Sequence, residues 1–141
     1  MMLKIRSFCL SLLTPLAVGL IACSSNPAPV TPDALLGAEW RVTHVENNAT
    51  VEGHQPTIQF GSDGSLNGTG GCNRFFGPYE TSSGGIHIGP AAATQMACID
   101  SAVSETESRF FAVLERVTRF EVKDGKLSLI AGEQPVIVAE R

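Results

Sequence analysis

Residues 68–80, GTGGCNRFFGPYE, bring three glycines, a thiol, an amide and a guanidinium together within their first seven positions. Three chemistries would use such a set. A phosphate cradle needs a glycine-rich turn opening a helix and, in the nucleotide type, a Lys followed by Ser or Thr. Arg74, Phe75 and Phe76 stand there instead, and Gly68, Gly70 and Gly71 do not complete the dinucleotide fingerprint. A metal centre needs ligands in close spacing, such as two Cys two to four residues apart. Cys72 and Cys98 are far apart in the chain, and His44, His54 and His87 show no close or helical pairing, so no metal and no other cofactor is expected. Nucleophilic catalysis by Cys72 would need a base such as His87 and a group to orient it. No third group can be named, so no catalytic residue is assigned. A bend accounts for more of the segment. Glycine tolerates positive φ and close backbone approach, so GTGG ends a strand at a bulge or corner. Asn73 then bonds nearby backbone, Arg74 reaches carbonyls or a carboxylate, and Phe75, Phe76 and Tyr79 fill the edge of the core.

The N-terminus decides which compartment these groups meet. MMLKIRS is a short basic region, and FCLSLLTPLAVGLI is an apolar run of fourteen residues, short for a bilayer span and suited to an export signal. LIAC follows, with Leu20 three residues before Cys23 and the small Ala22 beside it, and resembles the lipobox of bacterial lipoproteins. That resemblance implies a signal peptide over residues 1–22, acylation of Cys23 and a membrane anchor. Two or three acyl chains, at about 0.8 kcal/mol per buried methylene, make retention effectively permanent. Ser24 after the Cys resembles the outer-membrane sorting pattern of such lipoproteins, which implies a location on that membrane facing the periplasm. Residues 23–33 carry the lipidated Cys and a Pro- and Ser-rich tether, and the folded domain is expected over 34–141. With Cys9 removed and Cys23 acylated, Cys72 and Cys98 remain. In an oxidising compartment such a pair forms a disulfide, stabilising by roughly 3 to 4 kcal/mol on loop entropy. The alternative is a thiol-dependent redox protein or enzyme that uses the same two residues.

From Cys23 onward, 8 Lys and Arg face 14 Asp and Glu, a balance of −6 with no basic cluster, which excludes nucleic acid as a partner. Period-two patterning dominates this body. EWRVTHV (residues 39–45) alternates with Trp40, Val42 and His44 on one side, and PTIQF sets Ile58 and Phe60 on one face. GSDG turns that strand into SLNGTG, GIHIG is a short strand, and KDGK joins RFEV to KLSLI through a type I′ turn at Asp124 and Gly125. PVIVAE is a last strand whose Pro135 marks a strand start or a sheet edge. One helix lies within residues 101–117. Ser104 and Glu107 have capping-box spacing, acidic residues crowd the first turn, and Phe110, Phe111, Leu114 and Val117 form the buried stripe, with Glu107 and Glu115 elsewhere. These elements predict a mainly β or α+β domain, a small antiparallel barrel covered by one amphipathic helix.

LLGAEWRV, GSDGSLNGTGGCNRFFGPYE, IGPAAATQMAC and ERVTRFEVKDGKLSLI resemble the META domain, or HslJ-type domain, of bacterial envelope lipoproteins. The resemblance covers residues from about 35 to the C-terminus. It implies a lipocalin-like, half-open antiparallel barrel with a helix, and a link to heat shock or antibiotic tolerance. It supplies no catalytic residue. The motif residues it transfers are Gly71, Cys72, Asn73 and Arg74 with Thr94, Met96, Ala97 and Cys98, of which Gly71, Asn73, Arg74, Thr94 and Met96 are the candidate binding residues. Gln95 stands where Arg is commonest in the family, which weakens an anion grip there. The expected function is a non-enzymatic, lipid-anchored binding module for an envelope protein or small ligand. Replacing Cys23 with Ala is expected to move the protein out of the membrane fraction or leave it as a precursor, read by fractionation and intact mass. Mature Cys23→Ala protein still firmly membrane-bound contradicts the lipobox.

Overall fold

The computed structural model describes residues 31–82 and 85–141; the signal, Cys23 and the tether up to residue 30 lie outside the described residues. A 3-10 turn (Pro32–Leu35) leads into β1 (Glu39–Val45), β2 (Asn48–Ala49), β3 (Thr57–Phe60), β4 (Ser65–Thr69), β5 (Arg74–Ser82), β6 (Gly85–Ile88) and β7 (Ala92–Ala93). Helix α1 (Ser101–Leu114) follows, then β8 (Arg119–Lys123), β9 (Lys126–Ala131) and β10 (Gln134–Glu140). Strands β1, β3, β4, β5, β6, β8, β9 and β10 pair in that order, and β10 returns to β1, closing an antiparallel barrel of eight strands. Strand β2 folds back antiparallel onto the end of β1, and β7 pairs with the start of β5. The thinnest seam is β6 to β8, with one registered pair, Gly85 and Arg119, plus a 3.0 Å bond from Ile86 N to Thr118 O.

Alternation in the sequence becomes inside and outside in the barrel. Trp40, Ile58, Leu66, Leu127, Leu129 and Ile137 are fully buried, and Phe110 and Leu114 of α1 join the same core. Phe75 meets Phe110 and Phe111 edge-on, each at 5.5 Å between ring centroids. The interior is therefore filled by side chains. Trp40 donates its Nε1 hydrogen to Leu35 O at 3.0 Å, which fastens the 3-10 turn to the barrel. The β8–β9 hairpin has the expected turn, with φ of 51° at Asp124 and 75° at Gly125.

Three local expectations change, and one open alternative is decided. In β1 the register against β10 slips between Val42 and His44, so Val45 enters the core while His44 faces solvent; an extra residue in one strand shifts every side chain after it. Pro135 sits near the start of β10 beside a second register shift, and β10 is flanked by β9 and β1, so it is a strand start and no edge. The helix begins earlier than the Ser104–Glu107 box: Asp100 is its cap, accepting from Ala102 N at 2.8 Å, and no acidic residue lies in the first turn. Phe76 is 68% exposed, because β5 continues as a regular strand and sends alternate residues outward.

Truncating Leu129 to Ala should cost about 2–5 kcal/mol in denaturant unfolding through the cavity it leaves. Phe76→Ala should cost under about 1 kcal/mol by the same measurement. Equal losses at the two positions would contradict the assignment of inside and outside.

Candidate functional site

The glycine-rich stretch is a corner built over one carboxylate. After β4 the chain turns, Gly70 N bonds to Asn73 O at 2.7 Å, and β5 begins. Glu107 rises from α1 beneath this turn and is 8% exposed. Its Oε2 accepts from Cys72 N at 3.1 Å and Asn73 N at 2.6 Å, and its Oε1 accepts from Asn73 Nδ2 at 2.6 Å. A carboxylate taken out of water costs several kcal/mol. Three N–H groups offset this, since a hydrogen bond to a charged group contributes roughly 1.5–3 kcal/mol.

Two glycines exist because of this arrangement. A Cβ at Gly70 would lie 2.6 Å from Glu107 Oε2, and Gly71 has φ of +112° with His54 O 2.6 Å from where its Cβ would stand. A Cβ at Gly70 would displace the Glu107 carboxylate, and one at Gly71 would displace the His54 backbone.

Asn73 carries the network onward. Its Oδ1 accepts from Thr94 Oγ1 at 2.8 Å and Met96 N at 2.7 Å, and its Nδ2 also donates to Met96 O at 3.3 Å. All four hydrogen-bonding positions of the amide are filled, which fits its 5% exposure. Thr94 Oγ1 accepts in turn from Arg74 N at 3.1 Å, and Thr94 N donates to Arg74 O at 3.0 Å. Cys72 and Cys98 form a disulfide across the same junction, with Cα atoms 6.0 Å apart, so one sulfur bridge and one amide fix residues 94–98 to the corner.

The structure thus brings Gly71, Cys72, Asn73, Thr94, Met96 and Cys98 together. Met96 contributes its backbone alone, its side chain being 59% exposed. Arg74 points the other way. Its side chain makes no hydrogen bond or ion pair among the described residues, in place of the expected bond to a carbonyl or carboxylate. It lines an open groove of about 530 Å³ on the outer face of the barrel, with Glu39, Asn67, Thr69, Phe76 and Thr94. His87 is exposed on β6 and has no part in the junction.

Glu107 is the residue that sequence reasoning missed. Positions 107, 110, 111 and 114 are spaced as one helical face, so the acid belongs to the buried stripe and not opposite it. An acid on an apolar stripe, with a glycine-rich turn elsewhere to receive it, was the available signal.

Residues 33–141 match the family model of the META domain. The chain belongs to the META domain family. An NMR structure of a protein from Burkholderia xenovorans is similar, at 22% identity and a TM-score of 0.65, covering 91% of this chain and 98% of that one. A second NMR structure is 23% identical with a TM-score of 0.63, covering 79% and 95%. Both likenesses show a shared fold. No curated protein matches the chain.

Asn73→Asp places a second carboxylate against Glu107 and removes the amide's two donors. It should destabilise by about 3–5 kcal/mol, as for breaking a buried charged pair, measured by urea unfolding. A loss under about 1 kcal/mol would show that Glu107 is not held by this amide.

Proposed function

We propose that this META domain protein is a non-enzymatic, lipid-anchored envelope module that binds a small ligand or partner in the groove beside Arg74, with a role in stress or antibiotic tolerance. The observation that carries this reading is the contrast between a filled barrel and an open outer face. Trp40, Leu127, Leu129 and Ile137 occupy the interior, so binding inside the barrel in lipocalin fashion would have to displace core. The outer face is different. Register places Glu39, Gln59, Asn67, Phe76 and Ala92 in one row across β1, β3, β4, β5 and β7, an acid, two amides and an aromatic ring turned to solvent. Arg74 adds five N–H donors beside that row.

The groove wall is held in place because Thr94 is bonded to Asn73, and Asn73 to Glu107. A preformed wall lowers the ordering cost of binding. The lipobox at Cys23 and the tether after it support delivery of this face to the envelope. No helix among the described residues is long and apolar enough to cross a membrane.

The test is a thermal-shift and pull-down screen of detergent-solubilised protein against fractionated envelope extract, with Arg74→Ala and Phe76→Ala run alongside. The wild type is expected to retain a component and to shift its melting temperature, and both variants are expected to lose the response. Retention unchanged in both variants, or no response from the wild type, contradicts the groove as the binding face.

A further inference from the structure

We infer that Cys72, Cys98 and Glu107 form a zinc site that the disulfide holds closed, so that reduction converts a crosslink into a metal centre. The ligand atoms of these three residues already lie within 4.8 Å of one another. Cys98 Sγ stands 3.7 Å from Glu107 Oε1. Across a tetrahedral Zn²⁺, with bonds of about 2.3 Å to sulfur and about 2.0 Å to oxygen, sulfur and oxygen sit about 3.5 Å apart. The sulfur-to-carboxylate spacing therefore needs little change, and the main movement is separation of the two sulfurs once their bond is broken.

The rest of the junction keeps the thiols in place after that bond opens. Glu107 Oε2 holds Cys72 N, and Asn73 holds Met96 by both its N–H and its carbonyl, two residues before Cys98. Glu107 Oε2 carries both backbone bonds, while Oε1 accepts one nitrogen donor and keeps a lone pair for a metal. A fourth position faces solvent. A groove of about 520 Å³ opens over the two cysteines, walled by His54, Gly71, Ile99, Asp100 and Val103, and gives a metal ion and a water their way in. Two thiolates, one carboxylate and an open position suit Zn²⁺ among the common divalent ions.

The chemistry balances with a dithiol as reductant. The dithiol gives two electrons and two protons to the Cys72–Cys98 bond and becomes a cyclic disulfide, leaving two thiols. Zn²⁺ then displaces both thiol protons to solvent as the two metal–sulfur bonds form. The close spacing that metal motifs show in sequence is supplied here by the fold, since the cysteines are 26 positions apart.

The experiment uses the full-length protein in detergent, reduced with a dithiol, freed of it anaerobically and titrated with Co²⁺ as a spectroscopic probe, then with Zn²⁺. One equivalent of Co²⁺ should give thiolate-to-metal charge-transfer bands and tetrahedral d–d bands, and Zn²⁺ should abolish them. Metal should also raise the melting temperature of the reduced protein. Glu107→Gln should weaken affinity at least about tenfold, the scale of losing even an outer-shell partner. Because that variant also touches the fold, the doubly substituted Cys72→Ser/Cys98→Ser protein is the second control and should show neither bands nor stabilisation. The inference is overturned if reduced wild type gives no such bands, if oxidised protein or the double serine variant binds Co²⁺ equally well, or if reduction unfolds the protein and metal does not restore it.

Discussion

The corner between β4 and β5 depends on a single buried carboxylate. Glu107 gathers two backbone N–H groups and one side-chain amide onto two oxygens, and the chain above it has no freedom to move without leaving that charge unpaired. Burial of a lone carboxylate is costly enough to decide the local sequence. Gly70 must lack a side chain to admit the oxygens, and Asn73 must be an amide to donate to Glu107 while accepting from the loop. The disulfide acts on the unfolded chain by shortening its loop, whereas the carboxylate acts on the folded state by specifying one arrangement. The two are complementary at one junction.

This constraint links the helix to the outer face of the barrel. α1 buries Phe110 and Leu114 in the core, and the same face carries Glu107 up to the corner. From there the order passes through Asn73 to Thr94 and so to the wall of the groove where Arg74 and Phe76 stand. With the interior filled by core side chains, the open groove lies on the outer strand faces.

Much of the barrel was legible in the sequence because period-two alternation and turn chemistry are local signals. Ile58 and Phe60 point inward, and the turn at Asp124 and Gly125 has the backbone its residues require. The misses have a common cause in long-range context. Val45 replaces His44 in the core because of a bulge set by pairing with β10, about ninety positions away. Phe76 reads as core by its type and is outside by its parity in a nine-residue strand that glycine and proline disguise. Of the site, the motif residues from Gly71 to Arg74 and from Thr94 to Cys98 were visible, but their organiser was not. Glu107 stood at a position where a capping role also fitted, and only the fold shows the cap at Asp100 and the acid turned inward.

The measurement that bears most directly on this account is a double-mutant cycle between Asn73 and Glu107, each replaced by Ala singly and together, with unfolding free energies from urea denaturation. A coupling energy of about 1–3 kcal/mol, so that the second substitution costs far less once the first is made, is the result the account predicts. Costs that simply add, within about 0.5 kcal/mol, would contradict the claim that this carboxylate and amide act as one unit.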